Sequence, residues 1–262
     1  MDRRDFLALC CALPAAGVLA APSAATGALS MPAAINRSGR QRMLSQRTAK
    51  AWLMLVQGVL PDKARSILGQ SIPLFDQQLA ELKTLQPNDE VRGAWQQLEQ
   101  EWSRYRPLLA EVGSDPKAVW SGNEAVLAAA QKLTVAYEKA AGTATGRLVN
   151  LSGRQRMLSQ RMAKAYFFRQ AGVNAGPAAE MMDAAMKEFS RAHEELKAAP
   201  LNTALLKSEL ALVEQQWFFF QNALGLRASG DQKKAAADVA TTSERILEQM
   251  DLVVGLYEKL SG

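Results

Sequence analysis

The chain has 262 residues, 48% hydrophobic and 22% charged, with a formal charge of +5. This is the composition of a folded protein of one or two domains and excludes a disordered tail; so small a positive excess is no argument for nucleic acid. Ala, Leu, Gln, Glu, Lys, Arg and Met are abundant and β-branched runs scarce, which predicts an all-α fold.

Residues 1–25 read as an export leader rather than part of the fold. Arg3-Arg4 precedes an apolar stretch from Phe6 to Ala21, and small residues follow around Pro22-Ser23-Ala24-Ala25. The run Arg3-Arg4-Asp5-Phe6-Leu7 resembles the twin-arginine export signal; ordinary Sec export is the alternative. The apolar stretch is shorter than the roughly 20 residues of a spanning helix. Cleavage is therefore expected, with the leader serving as a membrane anchor only if retained. Cys10 and Cys11 both lie in the leader, so the exported chain is expected to carry no thiol and no disulfide. Export to the periplasm argues against a nucleic-acid partner.

Beyond the leader, an internal repeat organises the chain. Residues 38–47 and 152–161 both read SGRQRMLSQR, 114 positions apart, and Asn36 matches Asn150 at the same offset. Phe75 and Glu81-Leu82-Lys83 match Phe189 and Glu195-Leu196-Lys197. Glu99-Gln100-Glu101-Trp102 matches Glu214-Gln215-Gln216-Trp217 at offset 115, and Tyr137-Glu138-Lys139 matches Tyr257-Glu258-Lys259 at offset 120. A match this long implies a duplicated unit, 33–145 and 147–262.

Each unit reads as four helices. In the first they are placed at 35–60, stopping at Pro61; at 62–85, stopping before Pro87; from the Asn88-Asp89 cap to near Gly113; and at 123–144, with Asp115-Pro116 capping a short turn before it. The second unit repeats them at 149–173, 177–199, 202–228 and 231–260. Helices of this length with short connections predict two tandem antiparallel four-helix bundles. Gly142, Gly146 and Gly153 separate the units without a proline. Either the last helix of unit one runs straight on, placing the bundles end to end, or the glycines permit a reversal that sets them side by side.

The repeated block is unusual in charge. No Asp or Glu occurs from Phe6 to Pro61 or from Lys139 to Ala179, yet Arg37, Arg40, Arg42, Arg47 and Lys50 sit in the first stretch. Arg147, Arg154, Arg156, Arg161, Lys164 and Arg169 sit in the second. Such a block requires anions from neighbouring helices or from a ligand. Helical spacing puts Arg42, Gln46, Ala49 and Leu53 on one face, and Arg156, Gln160, Ala163 and Phe167 on its duplicate. Arginine's two-pronged donor geometry suits a planar oxyanion. Ser45 and Ser159 are further candidate donors, although a mid-helix serine often bonds its own helix backbone. Arg42 and Arg156 either pair with carboxylates such as Glu81 and Glu195 or converge on an anion.

The pattern N-x-S-G-x-x-R-M-x-S-x-R at the start of each unit resembles the P-box of NarX-type nitrate sensors and the related PilJ-type N-terminal domain of type IV pilus chemoreceptors. That resemblance implies a periplasmic helical sensor in which paired arginines, here Arg42 and Arg156, grip nitrate or nitrite within one chain or across a homodimer. Gln46, Gln160, Ser45 and Ser159 are the accompanying ligand-binding candidates. A departure from those receptors is the two units in one chain, with no HAMP-like linker, kinase or methyl-accepting region read after them. The chain is thus expected to bind, with a membrane-bound receptor carrying the signal.

The rival reading is a helical adaptor with no small ligand, docking through an apolar patch near Trp217–Phe220. Trp52, Trp95, Trp102, Tyr166 and Trp217 read as packing, as do Met181, Met182 and Met186. Enzyme chemistry finds no support: His193 is the single histidine, no nucleophile–base pair or phosphate loop is present, and neither a metal nor another cofactor is expected.

Overall fold

A computed structural model describes residues 28–225 and 231–260. The leader, with its arginine pair and both cysteines, lies outside them. The described residues form eight α-helices and no strand: α1 Met31–Val56, α2 Pro61–Leu82, α3 Asp89–Tyr105, α4 Pro116–Ala141, α5 Ala144–Gln170, α6 Ala175–Lys197, α7 Ala204–Gly225 and α8 Gln232–Lys259, with a short 3-10 turn at Arg106–Leu109 after α3.

Side-chain caps and prolines set most of these limits. Ser30 accepts from the Ala33 amide to open α1, Asn88 from Val91 to open α3, and Asp231 from Lys233 and Lys234 to open α8, each satisfying a donor that the helix leaves free. Asp115 caps and Pro116 begins the whole of α4, so this pair starts the helix seven residues before the expected Asn123. Pro107 ends α3 as an α-helix, because it cannot donate to the preceding turn, and the segment tightens into the 3-10 turn. α1 stops at Val56, short of the expected residue 60, because Gly58 and Leu60 adopt left-handed backbone (φ 65° and 45°). The duplicate turn has the same geometry at Gly172 and Asn174 (φ 68° and 49°).

The reversal between units occurs at Gly142, whose φ of 60° ends α4, followed by Thr143, which caps α5 by accepting from Gly146 (3.1 Å). The units therefore lie side by side. Within unit one α1 packs on α2 and α4, and α3 on α4; unit two repeats this with α5, α6, α7 and α8; α1 against α5 joins them. α1 and α5 run parallel. Near their starts Asn36 meets Arg156, and near their ends Gln57 Nε2 donates to the Phe167 carbonyl (2.9 Å).

One large hydrophobic core runs through both units, with a small second cluster of Ala51, Ile67 and Leu68 between α1 and α2. Its aromatic anchors are duplicated: Phe75 stacks on Trp102 (centroids 3.7 Å apart) and Phe189 on Trp217 (4.4 Å). Trp52, Trp95 and Trp102 donate their indole N–H groups to Glu111, Leu79 and Asp76, which lets these rings pack without an orphaned donor. Trp217 and Phe220 point inward, whereas Phe218 and Phe219 are 61% and 56% exposed. The four-residue aromatic run is thus half core and half surface.

Candidate functional site

The site lies on the α1–α5 seam, where the duplicated blocks face one another. Gly39 and Gly153 allow the close approach. A Cβ placed on Gly39 would stand 3.2 Å from Arg42 Nη2 and 3.9 Å from Arg156 Nη2. One on Gly153 would stand 3.4 Å from Arg156 Nη2 and 3.7 Å from Arg42 Nη2. Both guanidiniums therefore converge on the glycine crossing, and both are fully buried.

Their hydrogen bonds are reciprocal. Arg42 Nη2 donates to the side-chain oxygen (2.7 Å) and carbonyl (3.3 Å) of Asn150, and Arg156 Nη2 donates to those of Asn36 at the same distances. The asparagines are held in turn by Glu138 and Glu258. Symmetry breaks at Nη1. Arg156 donates there to the Asp251 carboxylate, whereas Arg42 donates to the neutral Gln131 Oε1 (2.6 Å). Neither Nε has an acceptor. Burial, with Arg154 and Arg156 nearby, brings Arg42 down to about 9 against the pull of Glu138 and Glu188. Burial brings Arg156 to about 10, with Asp251 opposing. Both remain charged at neutral pH. Glu81 and Glu195 are not their partners: these carboxylates pair with Arg37 and Arg147.

One to two turns further along, each unit lends a carboxylate to the other. Glu244 of α8 accepts from Lys50 (2.6 Å) and Arg47 (2.5 Å) of α1. Glu124 of α4 accepts from Lys164 (2.5 Å) and Arg161 (2.8 Å) of α5. For Arg47, Lys50, Arg161 and Lys164 the anion thus comes from the fourth helix of the opposite unit, whereas Arg37, Arg147 and Arg154 find theirs on the second helix of their own. Burial alone raises a carboxyl, but Lys50 and Arg47 outweigh it and hold Glu244 at about 2. Lys164 and Arg161 likewise lower Glu124. Two cations share each carboxylate, so the fully buried ammoniums are left under-compensated, and burial brings Lys50 and Lys164 to about 8.

The other candidates sit next to the arginines with their polar atoms engaged elsewhere. Ser45 and Ser159 donate to the carbonyls of Arg42 and Arg156 (both 2.8 Å), three residues back. Gln46 donates to Asn123 (2.9 Å) and Gln160 to the Ser243 carbonyl (2.8 Å), with Gln160 Oε1 unpartnered. Sequence reasoning passed over Gln131, Asp251, Glu124, Glu244 and the asparagines' role. Offset 120, visible in the Tyr-Glu-Lys match, relates Glu124 to Glu244 and Gln131 to Asp251. His193 is buried and stacks on Phe189, as a packing residue does. Among the described residues no cluster suits a metal ion, and no helix is long and apolar enough to cross a membrane.

Set beside known proteins, the chain matches the model of the PilJ family, the type IV pili methyl-accepting chemotaxis transducer N-terminal domain, over residues 24–132 and again over 140–243. Neither a curated protein nor a solved structure matches.

Proposed function

Since this chain belongs to the PilJ family of chemotaxis transducer N-terminal domains and carries that domain twice, we propose that it is an exported, periplasmic sensor-type protein that binds a small planar oxyanion such as nitrate or nitrite between Arg42 and Arg156. The carrying observation is the convergence of two fully buried guanidiniums on the Gly39–Gly153 crossing, each with an unpartnered Nε. Like charges held together in a dry place repel, and a bound anion relieves this while supplying acceptors to orphaned donors. In this reading Ser45 and Ser159 bond the turn from which each arginine projects, and Gln46 and Gln160 tie the following residues to α4 and α8. A membrane-bound receptor takes up the signal.

The test is the melting temperature of the protein against nitrate, nitrite, sulfate and chloride, with Arg42→Lys and Arg156→Lys alongside. Lysine keeps the charge but loses the two-pronged geometry. A saturable rise with a planar oxyanion, worth about 2.7 kcal/mol at a hundred times Kd and lost in both variants, is expected. No rise with any of the four anions would refute the assignment.

A further inference from the structure

The break in symmetry at Nη1 points to a second ligand chemistry at this site. On one side of the seam Asp251 Oδ1 accepts from both Arg156 Nη1 and Arg40 Nη2 (2.8 Å to the latter). On the other side Gln131 Oε1 accepts from both Arg42 Nη1 (2.6 Å) and Arg154 Nη1 (3.0 Å). Arg40 and Arg154 are duplicates, as are Arg42 and Arg156, so the two oxygens occupy equivalent places in the repeat. The protein therefore contains its own template: a carboxylate bridging this arginine pair in one half, and an uncharged amide in the other.

The amide half also has room. A cavity of about 350 Å³ lies between α4, α5 and α6 and is lined by both Gln131 and Arg154. Its floor is apolar, with Leu127, Met157, Leu158 and Met181. The carboxylates on its rim are already engaged, Glu188 by Arg154 Nε and Glu124 by Arg161 and Lys164. Among the described residues no carboxylate is within salt-bridge distance of Arg42. A polar end with Arg154 in its wall and the buried Arg42 directly behind Gln131, beside a patch of Leu and Met side chains, is suited to an anion with a short hydrocarbon body rather than to a bare inorganic ion.

We propose that this cavity binds a small aliphatic monocarboxylate, whose carboxylate takes the place of Gln131 Oε1 between Arg42 and Arg154 while its chain lies on the α4–α6 floor. The inference rests on Arg42 being an anion-binding residue, as proposed above, and adds the ligand class, the route of entry and the residue that must swing aside. Gln131 is a positioning residue here: it occupies the arginines until the ligand displaces it.

The experiment uses the full exported chain, with calorimetric titration of acetate, butyrate and nitrate into the wild type, Gln131→Asp and Ala184→Trp. Ala184 is exposed and lines the cavity, so the indole fills space from the solvent side without entering the core. Butyrate is expected to bind more tightly than acetate. Ala184→Trp is expected to weaken butyrate at least about tenfold, equivalent to 1.4 kcal/mol, while leaving nitrate unchanged. Gln131→Asp recreates the Asp251 arrangement, so it is expected to abolish butyrate binding and raise the melting temperature of the free protein. Nitrate binding without butyrate binding overturns this inference and leaves the oxyanion reading intact. Butyrate binding indifferent to both variants also overturns it. Binding of neither anion overturns both proposals, and butyrate binding abolished in Gln131→Asp and weakened at least about tenfold in Ala184→Trp sustains this one whatever nitrate does.

Discussion

Replacing Glu244 by Gln removes the one carboxylate in contact with Lys50, whose ammonium is fully buried. Breaking a buried pair from one side typically costs about 3–5 kcal/mol, because the remaining charge is stranded. A ceiling applies, since the lysine can shed its proton instead. With an unfolded pKa of about 10.4, a neutral Lys50 costs about 1.4 kcal/mol for each pH unit below that value, or roughly 4.6 kcal/mol near pH 7 and 1.9 near pH 9. Arg47, the other partner, is partly exposed and keeps its bond to Ser71 (3.1 Å), so it adds little. Glu244→Gln is therefore expected to lose about 3–5 kcal/mol near pH 7 and about 2 or less near pH 9. The sign follows from burial, which already places folded Lys50 at about 8. Without Glu244 it falls further, so the unfolded chain binds more protons over a wider range and stability climbs with pH. Urea unfolding followed by far-ultraviolet circular dichroism at the two pH values measures both losses. Adding Lys50→Met to the variant should recover most of the loss near pH 7. A loss below about 1 kcal/mol, or one that does not shrink with pH, would refute the stranded-charge argument.

Other outcomes follow from the same structure. Glu244 is held at about 2 in the fold, and its unfolded value is about 4.3. Its stabilisation, about 3 kcal/mol from that difference, is present above the unfolded value and is lost as the pH falls from about 4.5 toward 2; urea midpoints flat across that window would contradict it. Leu60→Asn should stabilise the chain by about 1 kcal/mol, because the left-handed backbone at Leu60 is repeated at Asn174 and a short polar side chain tolerates it; an unchanged or lower unfolding free energy would count against that. Gly142→Ala, at the reversal between units, should cost about 1–2 kcal/mol for its positive φ, read as a lower urea midpoint without a change in slope.

The duplication and the eight helices were legible because a long exact repeat, helical spacing and prolines are local signals. Asp115-Pro116 reads from sequence as the cap of a short turn, because Gly122 interrupts the run that follows; in the fold the pair opens α4 itself. Gly142-Thr143 held the answer to side-by-side packing, as a left-handed stop followed at once by a capping Thr, but three glycines in the region diluted it. Arg42 and Arg156 stood out by their repeated block. Their partners did not: Asn36 and Asn150 reach them only across the α1–α5 pairing, and Gln131 and Asp251 lie far along the chain on the fourth helix of the same unit. Chain spacing cannot report a contact between units whose relative placement is still open. The aromatic run at 217–220 divides because successive helix positions point about 100° apart, which turns Phe218 and Phe219 outward while Trp217 and Phe220 face the core.

The α1–α5 pairing has a consequence for how such a site works in a dilute compartment. When separate subunits each contribute one arginine, the site exists only where they have assembled, and its occupancy depends on protein abundance as well as on ligand. Here the Gly142–Thr143 turn ties the halves covalently. The second arginine is then supplied at the millimolar effective concentration of a short link. On the proposed oxyanion-binding reading, half-saturation should therefore stay fixed as the protein is diluted.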